Sequence, residues 1–465
     1  MATTTTHTAT DLRAALERVV GSEHVRDDPG ALLTFSTDAT PLERGRPDAV
    51  VFPATTDEVA GVIRLANERR IPVVPRGSGT NLSAGTVPHR GGIVLVLTRM
   101  NRLKEVDPGD LVAVCEPGVR TIELAEAAAA AGLLFPPDPG SHTTATLGGN
   151  VAECSGGLRA LKYGVTRDYV LGVEAVLGSG EVIRSGGRLV KDVAGYDLRR
   201  LLCGSEGTLA VMTEITLRLM PAPEGTGTGM AYFADLADAA RAVSRVLSSG
   251  VLPVTLEFLD RVCIDAVEGF SNIGLDREAG ALLIFGQDGD QHSIDRDMRR
   301  MAEACEAEGA TAVTIAASEA EAAGVLQARR AVLPALSRLE PLTLLEDATV
   351  PRSRIAEMVG RIQEIAERHG LTIGTFGHAG DGNLHPTVVL DPADAAAVER
   401  AHEAFAEIFG VAIAMDGTIT GEHGVGLVKL KYLERQLGTE HLALLRRIKA
   451  AFDPNGILNP GKLGS

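Results

Sequence analysis

The sequence predicts an α+β protein built from two domains. Three observations carry this. Segments with a helical apolar stripe alternate with short runs of β-branched and aliphatic residues. At 465 residues the chain is too long for one ordinary core. A stretch rich in Pro, Gly and Thr, "APEGTGTGM" (222–230), divides a glycine-rich half from a half with long Ala/Glu/Arg helices. The expected partition is a disordered tail at 1–10, a first domain at 11–222, a second domain at 223–430 and a C-terminal segment at 431–465 that docks back on the first.

In chain order, "MATTTTHTAT" has neither a basic nor an apolar segment and does not read as a signal peptide. "DLRAALERVV" (11–20) reads as a short amphipathic helix. "TTDEVAGVIRLANERR" (55–70) is a clearer one, with a Thr55/Glu58 capping box and an apolar stripe of Val59, Val62, Ile63 and Ala66. "IPVVP" and "GIVLVLTRM" (92–100) read as strands around the loop "RGSGTNLSAG" (76–85). "VLGVEAVLGSGEVIRSGG" (170–187) reads as a hairpin with a Gly-Ser-Gly turn, and "LAVMTEITLRLMP" (209–221) as a strand. Beyond 230, three long helices alternate with strands at 254–260, 280–287 and 371–378, which predicts a sheet with helices on one face. The tail "FDPNGILNPGK" (452–462) is rigid and turn-rich.

A net charge of −16 argues against nucleic acid or an anionic membrane as the main partner. No apolar run approaches the ~18 residues of a membrane helix. Five scattered cysteines without a C-x-x-C pair fit a reducing compartment and exclude a ferredoxin-type cluster. The expected location is cytoplasmic, peripheral to a membrane only through partners.

Glycines 77 and 79 would let backbone N–H groups approach a phosphate, yet the loop is not a dinucleotide fingerprint. Leu82 stands where the third glycine belongs, and no helix follows directly. An anion nest and a plain turn both fit. A second loop, "PPDPGSHTTATLGGNVAECSGG" (136–157), adds paired glycines with hydroxyl and amide donors.

Together, "PRGSGTNLSAG", "ATLGGNVAECSGGLRALKYGVTRDYVLG", "KDVAGYDLRRLLCGSEGTL" and "FDPNGILNPGK" closely resemble the FAD-linked oxidases of the vanillyl-alcohol oxidase (PCMH) type. The match is strongest to the glycolate oxidase/D-lactate dehydrogenase branch and spans about residues 20–465. The resemblance implies a two-part FAD-binding domain and an α+β cap domain with an antiparallel sheet. It implies FAD held by Arg76, Gly77, Ser78, Gly79, Thr80 and Asn81, with Pro137, Asp138, Ser141, Thr144, Gly148, Gly149, Asn150, Gly157, Gly207 and Asn459. Some relatives attach FAD through a histidine in the first loop. Ser78 and Thr80 stand here, so non-covalent FAD is expected.

"GHAGDGNLHP" (377–386) places His378 and His385 seven apart, a spacing that a strand end and a tight turn would bring together. "TGEHGVG" (420–426) offers Glu422 and His423. Taken alone, each histidine reads more readily as a satisfied polar residue than as a ligand. The resemblance implies that His378, His385 and Glu422 bind a divalent metal (Zn, Mn or Fe) and that His423 is the base. It places Arg329, in "LQARRAVLPA", as the carboxylate-binding arginine. Relatives often carry tryptophan three residues earlier, where this chain has Leu326. Asp381 fits either an orienting or a turn-stabilising role; Asp347 and Thr349 fit either a pocket wall or a buried cap.

The expected activity is oxidation of a small 2-hydroxy acid to the 2-oxo acid. Electrons would pass to an external acceptor: a quinone, an electron-transfer flavoprotein, a cytochrome or an iron–sulfur partner subunit. A homodimer is compatible with the sequence. The rival reading within the fold is a non-redox transferase of the alkyl-glycerone-phosphate synthase type. A non-catalytic flavin subunit and a flavin-free metallohydrolase are further rivals from other classes.

Overall fold

A computed structural model describes residues 9–463. The expected tail lies outside the described residues except for Ala9 and Thr10, which open the helix Ala9–Val20. In the helix Thr56–Arg69, the Thr55 hydroxyl accepts from the Glu58 N–H at 3.2 Å. The Glu58 carboxylate reaches the Ala54 N–H at 2.7 Å, one residue before the expected partner. The predicted stripe is the buried face.

The first sheet contains β1 (Val25–Arg26), β2 (Ala49–Val51), β3 (Val73–Arg76) and β4 (Ile93–Val96), in the order β1-β2-β4-β3. The expected strand at 92–100 ends early, because Leu97–Arg99 turns into a 3-10 helix closed by the Met100 N–H on Leu97 O. Next come β5 (Leu103–Asp107), β6 (Val112–Cys115), the short β7 (Leu133–Leu134), β8 (Val170–Leu177), β9 (Val182–Gly186), β10 (Ala210–Arg218) and β11 (Met220–Pro221). Five of them form an antiparallel sheet, β5-β6-β10-β8-β9, and β7 pairs with β11. The hairpin β8/β9 turns at Gly178–Ser179–Gly180, as its sequence predicts.

The third sheet has eight strands: β12 (Gly225–Phe233), β13 (Thr255–Asp260), β14 (Ala281–Gly289), β15 (Ala312–Ile315), β16 (Leu342–Leu345), β17 (Ala348–Thr349), β18 (Thr372–His378) and β19 (Asn383–Leu390). Their order is β15-β12-β14-β13-β18-β19-β16, with β17 on β19. Most of the stretch 222–230 is strand: Gly225 onward is β12, paired along nine residues with β14. Its alternating glycines make room for neighbours. A Cβ at Gly227 would lie 2.7 Å from Ile294, and one at Gly229 2.6 Å from Phe285.

One expectation fails here: the helices cover both faces of this sheet. Ala231, Phe233, Leu283 and Phe285 join one core with the helices Leu236–Ser248 and Gln291–Ala307. Tyr232, Leu259, Leu282 and Ile284 join another with Arg261–Ser271 and Glu319–Arg330. Continuous apolar runs in β13 and β14 are what a strand buried on both sides requires.

The C-terminal segment packs on the first sheet. Ile457 and Leu458 enter the core of the first sheet, and the Val73 N–H donates to Ile457 O at 2.7 Å. Buried Lys449 holds this segment through Thr208 O, Leu458 O and Asp453.

Candidate functional site

The site is built on one face of the third sheet. Side chains alternate along a strand, and cross-strand partners share a face. Phe376 pairs with His385, and Phe258 with Gly377. Glu257, His378 and His385 therefore face the same way from β13, β18 and β19. The β18–β19 turn brings the two histidines together, and Gly382 adopts φ +89° in it. Asp381 accepts from the Asn383 N–H at 3.2 Å, the turn-stabilising option.

His378 donates from Nδ1 to Glu257 Oε1 at 2.7 Å, and its Nε2 lies 3.2 Å from Glu422 Oε1. His385 Nε2 is 3.5 Å from the same oxygen. One ligand atom from each of His378, His385 and Glu422 lies within 4.8 Å of the others. His385 stacks on His423 with centroids 5.1 Å apart. Nδ1 of both His385 and His423 is buried without a hydrogen-bond partner among the described residues.

Burial opposes charge throughout this cluster. At His378 the carboxylates of Glu257 and Glu422 outweigh it and hold the imidazole well above its usual value. Glu422 is likewise buried, but the imidazoles, His378 foremost, bring its carboxyl down to about 2. His385 is held well below the usual imidazole value by burial and by His423. His423 is lowered by burial, which the Asp347 carboxylate only partly offsets. Two imidazoles and a carboxylate at this separation are a donor set suited to a borderline divalent metal.

The loop carrying Glu422 and His423 is clasped from several directions. Asp347 Oδ2 accepts from the N–H groups of Gly421, Glu422 and His423 at 2.8–3.0 Å and from the Thr420 hydroxyl at 2.8 Å. Of the two roles open for Asp347, this is the buried cap. Thr349 and Asp347 both accept from the Asn383 amide. Glu206, from a turn after the second sheet's helix, accepts from the Val425 and Gly426 N–H groups at 2.7 and 2.8 Å. The Ser83 hydroxyl donates to His423 O at 2.9 Å, and the Gly156 N–H to Glu422 Oε2 at 3.2 Å.

Arg329 ends the helix Glu319–Arg330 and is buried. Its Nε donates to Glu257 Oε2 at 2.6 Å, and its guanidinium lies 4.8 Å from the Phe376 ring centroid. Leu326 packs into the adjoining apolar core instead of lining the site.

A cavity of about 470 Å³ joins these groups to the glycine loops. It is lined by Gly77, Ser78, Gly79, Thr80, Asn81, Asp138, Ser141, Gly149, Asn150 and Gly157, and by Arg329, His378, His385, Glu422 and His423. A second cavity of about 60 Å³ takes in Arg76, Gly148 and Gly207. Three expected FAD contacts line neither. Pro137 is buried. Thr144 is exposed and bonded to Ser141 O. Asn459 donates to Gly85 O and Glu206 O, propping the loops from behind. Arg76 also turns back, donating to Thr37 O under the loop.

The loops fit a dinucleotide. Thr146 Oγ1 is buried without a partner, and a Cβ at Gly77 would sit 2.1 Å from it. Sequence reasoning missed Thr146, His142 and Glu153 in the cavity wall, and also Glu257, Glu206 and the buried Lys429, whose Nζ donates to Asp347 O at 3.3 Å. Glu257 carried a signal, being a lone carboxylate inside the apolar strand "VTLEFLD".

Comparison with known proteins defines the class. The model of the FAD linked oxidases, C-terminal domain, matches residues 222–463, and that of the FAD binding domain matches 47–186. The chain belongs to the FAD-linked oxidase family and is an FAD-dependent oxidoreductase. It is 49% identical over 453 residues to the glycolate oxidase subunit GlcD of Bacillus subtilis (strain 168), covering 97% of this chain and 96% of that one. It is 41% identical over 418 residues to a D-lactate dehydrogenase of Archaeoglobus fulgidus, covering 89% and 90%. The fold is shared with p-cresol methylhydroxylase (TM-score 0.82, 18% identity, 98% and 96% covered). It is also shared with an alkyldihydroxyacetonephosphate synthase (TM-score 0.76, 20% identity, 97% and 86% covered).

Proposed function

We propose that the protein oxidises a small 2-hydroxy acid, of the glycolate or D-lactate kind, to the 2-oxo acid, using non-covalent FAD and a divalent metal. The observation that carries this reading is the single cavity that joins the glycine loops to the imidazole–carboxylate cluster. The relatives named for glycolate and D-lactate support the substrate class. His378, His385 and Glu422 would hold the metal.

When bound, the flavin supplies two-electron oxidation and the metal supplies Lewis acidity. The chain's own residues do the rest. Arg329, fixed at Nε, presents its remaining N–H groups to the substrate carboxylate. His423 takes the hydroxyl proton on its ring nitrogen, and Asp347 holds the backbone that carries it. The buried walls keep water from the reacting atoms. The electrons leave to an external acceptor. Among the described residues, no helix is long and apolar enough to cross a membrane.

The test is an anaerobic visible spectrum of the metal-replete protein before and after addition of glycolate, D-lactate or D-2-hydroxyglutarate. Bleaching of the flavin band by one acid is expected. A flavin that none of them bleaches would sink this substrate class.

A further inference from the structure

We propose that Glu257 is a positioning residue that couples metal binding at His378 to carboxylate binding at Arg329. The proposal rests on the roles given to those two residues above.

Glu257 stands in mid-strand between Leu256 and Phe258, and its side chain is 1% exposed. A carboxylate in such a place is tolerated only where partners replace its water. Here each oxygen has its own partner. Oε1 accepts from His378 Nδ1 at 2.7 Å, and Oε2 accepts from Arg329 Nε at 2.6 Å.

The first contact fixes the imidazole. With the proton on Nδ1 held by a carboxylate, the ring is locked in orientation and Nε2 points at the Glu422 side of the cluster. The second contact fixes the guanidinium. With Nε pinned and the plane laid against Phe376, the two Nη groups are left for a ligand. His378 comes from β18 and Arg329 from a helix on the sheet face, so no backbone contact sets their mutual placement. The Glu257 carboxylate does. Glutamine in its place offers one acceptor and one donor. It serves His378 or Arg329, and turns an N–H against the N–H of the other.

The decisive experiment uses Glu257→Gln flavoprotein stripped of metal by chelation. Mn²⁺ binding is measured by calorimetry. KM and kcat are then measured at saturating metal with the acid that bleaches the parent flavin. The expected result is Mn²⁺ affinity weakened about 10–100-fold together with KM raised at least about 10-fold, the loss in kcat being smaller. Flavin content should match the parent. Glu257→Asp keeps two acceptor oxygens on a shorter arm. It should fall between parent and Gln variant in both readouts, and it decides the matter if the Gln variant does not fold. Parent-like Mn²⁺ affinity, or weakened affinity with unchanged KM, would overturn the coupling. A parent protein that takes up no divalent metal would instead overturn the metal reading, and this proposal with it.

Discussion

Glu422 and His423 are adjacent in sequence but meet different surroundings. Glu422 faces the imidazoles, which keep it ionised. Burial lowers the His423 imidazole below its usual value, and its Nδ1 has no hydrogen-bond partner among the described residues. His423→Ala is expected to cut turnover ~10²–10⁴-fold while flavin content stays at the parent level; near-normal turnover would remove it from the mechanism. Asp347 gathers three backbone donors on one oxygen. Asp347→Asn puts a donor or a neutral acceptor there, and a loss of about 1–3 kcal/mol in unfolding free energy is expected by chemical denaturation, with turnover falling further than stability alone explains. Asp138 is pushed up to about 6, burial outweighing Arg159. The folded state then binds this proton more tightly than the unfolded chain, so ionisation costs stability increasingly between about pH 4 and pH 6. Asp138→Asn should therefore raise the melting temperature more at about pH 7.5 than at about pH 4.5; an equal gain at both would contradict the shift.

At the scale of elements, legibility followed sequence distance. The glycine loops were readable because each is a contiguous run that carries the family resemblance, and the grouping of His378 with His385 came from the same resemblance, the seven-residue spacing alone leaving a plain surface turn open. Glu257 was not readable as a site residue, because its partners lie 72 and 121 residues away: the β13–β18 register brings His378 to it, and the packing of the helix Glu319–Arg330 on the sheet brings Arg329. Gly382 tests the hairpin itself. A Cβ there would lie 2.1 Å from Val350 O at φ +89°. Gly382→Ala should weaken Mn²⁺ binding with little change in flavin content, and a variant binding Mn²⁺ like the parent would show the turn to be compliant.

For the whole molecule, the cofactor loops and the tail are one mechanical unit. Asn459 props two loops at once, and Leu458 completes the first sheet beside Val73. Truncation before Asp453 should release flavin on gel filtration and lower the melting temperature by several degrees. A truncated chain that keeps its flavin would show the tail to be dispensable. Acid denaturation of the full chain is expected to leave no flavin on the polypeptide, since Ser78 and Thr80 stand in the first loop.

The clasp around residues 422–427 also bears on how such proteins could be recombined. A Cβ at Gly426 would lie 1.9 Å from Ser83 O, and Glu206 and Gly156 reach across to the same loop. The seam is keyed like a lock with wards. A cap grafted from a distant relative would bring its own imidazole–carboxylate cluster but meet foreign teeth at 83, 156 and 206. Functional chimeras should require those three positions to travel with the graft.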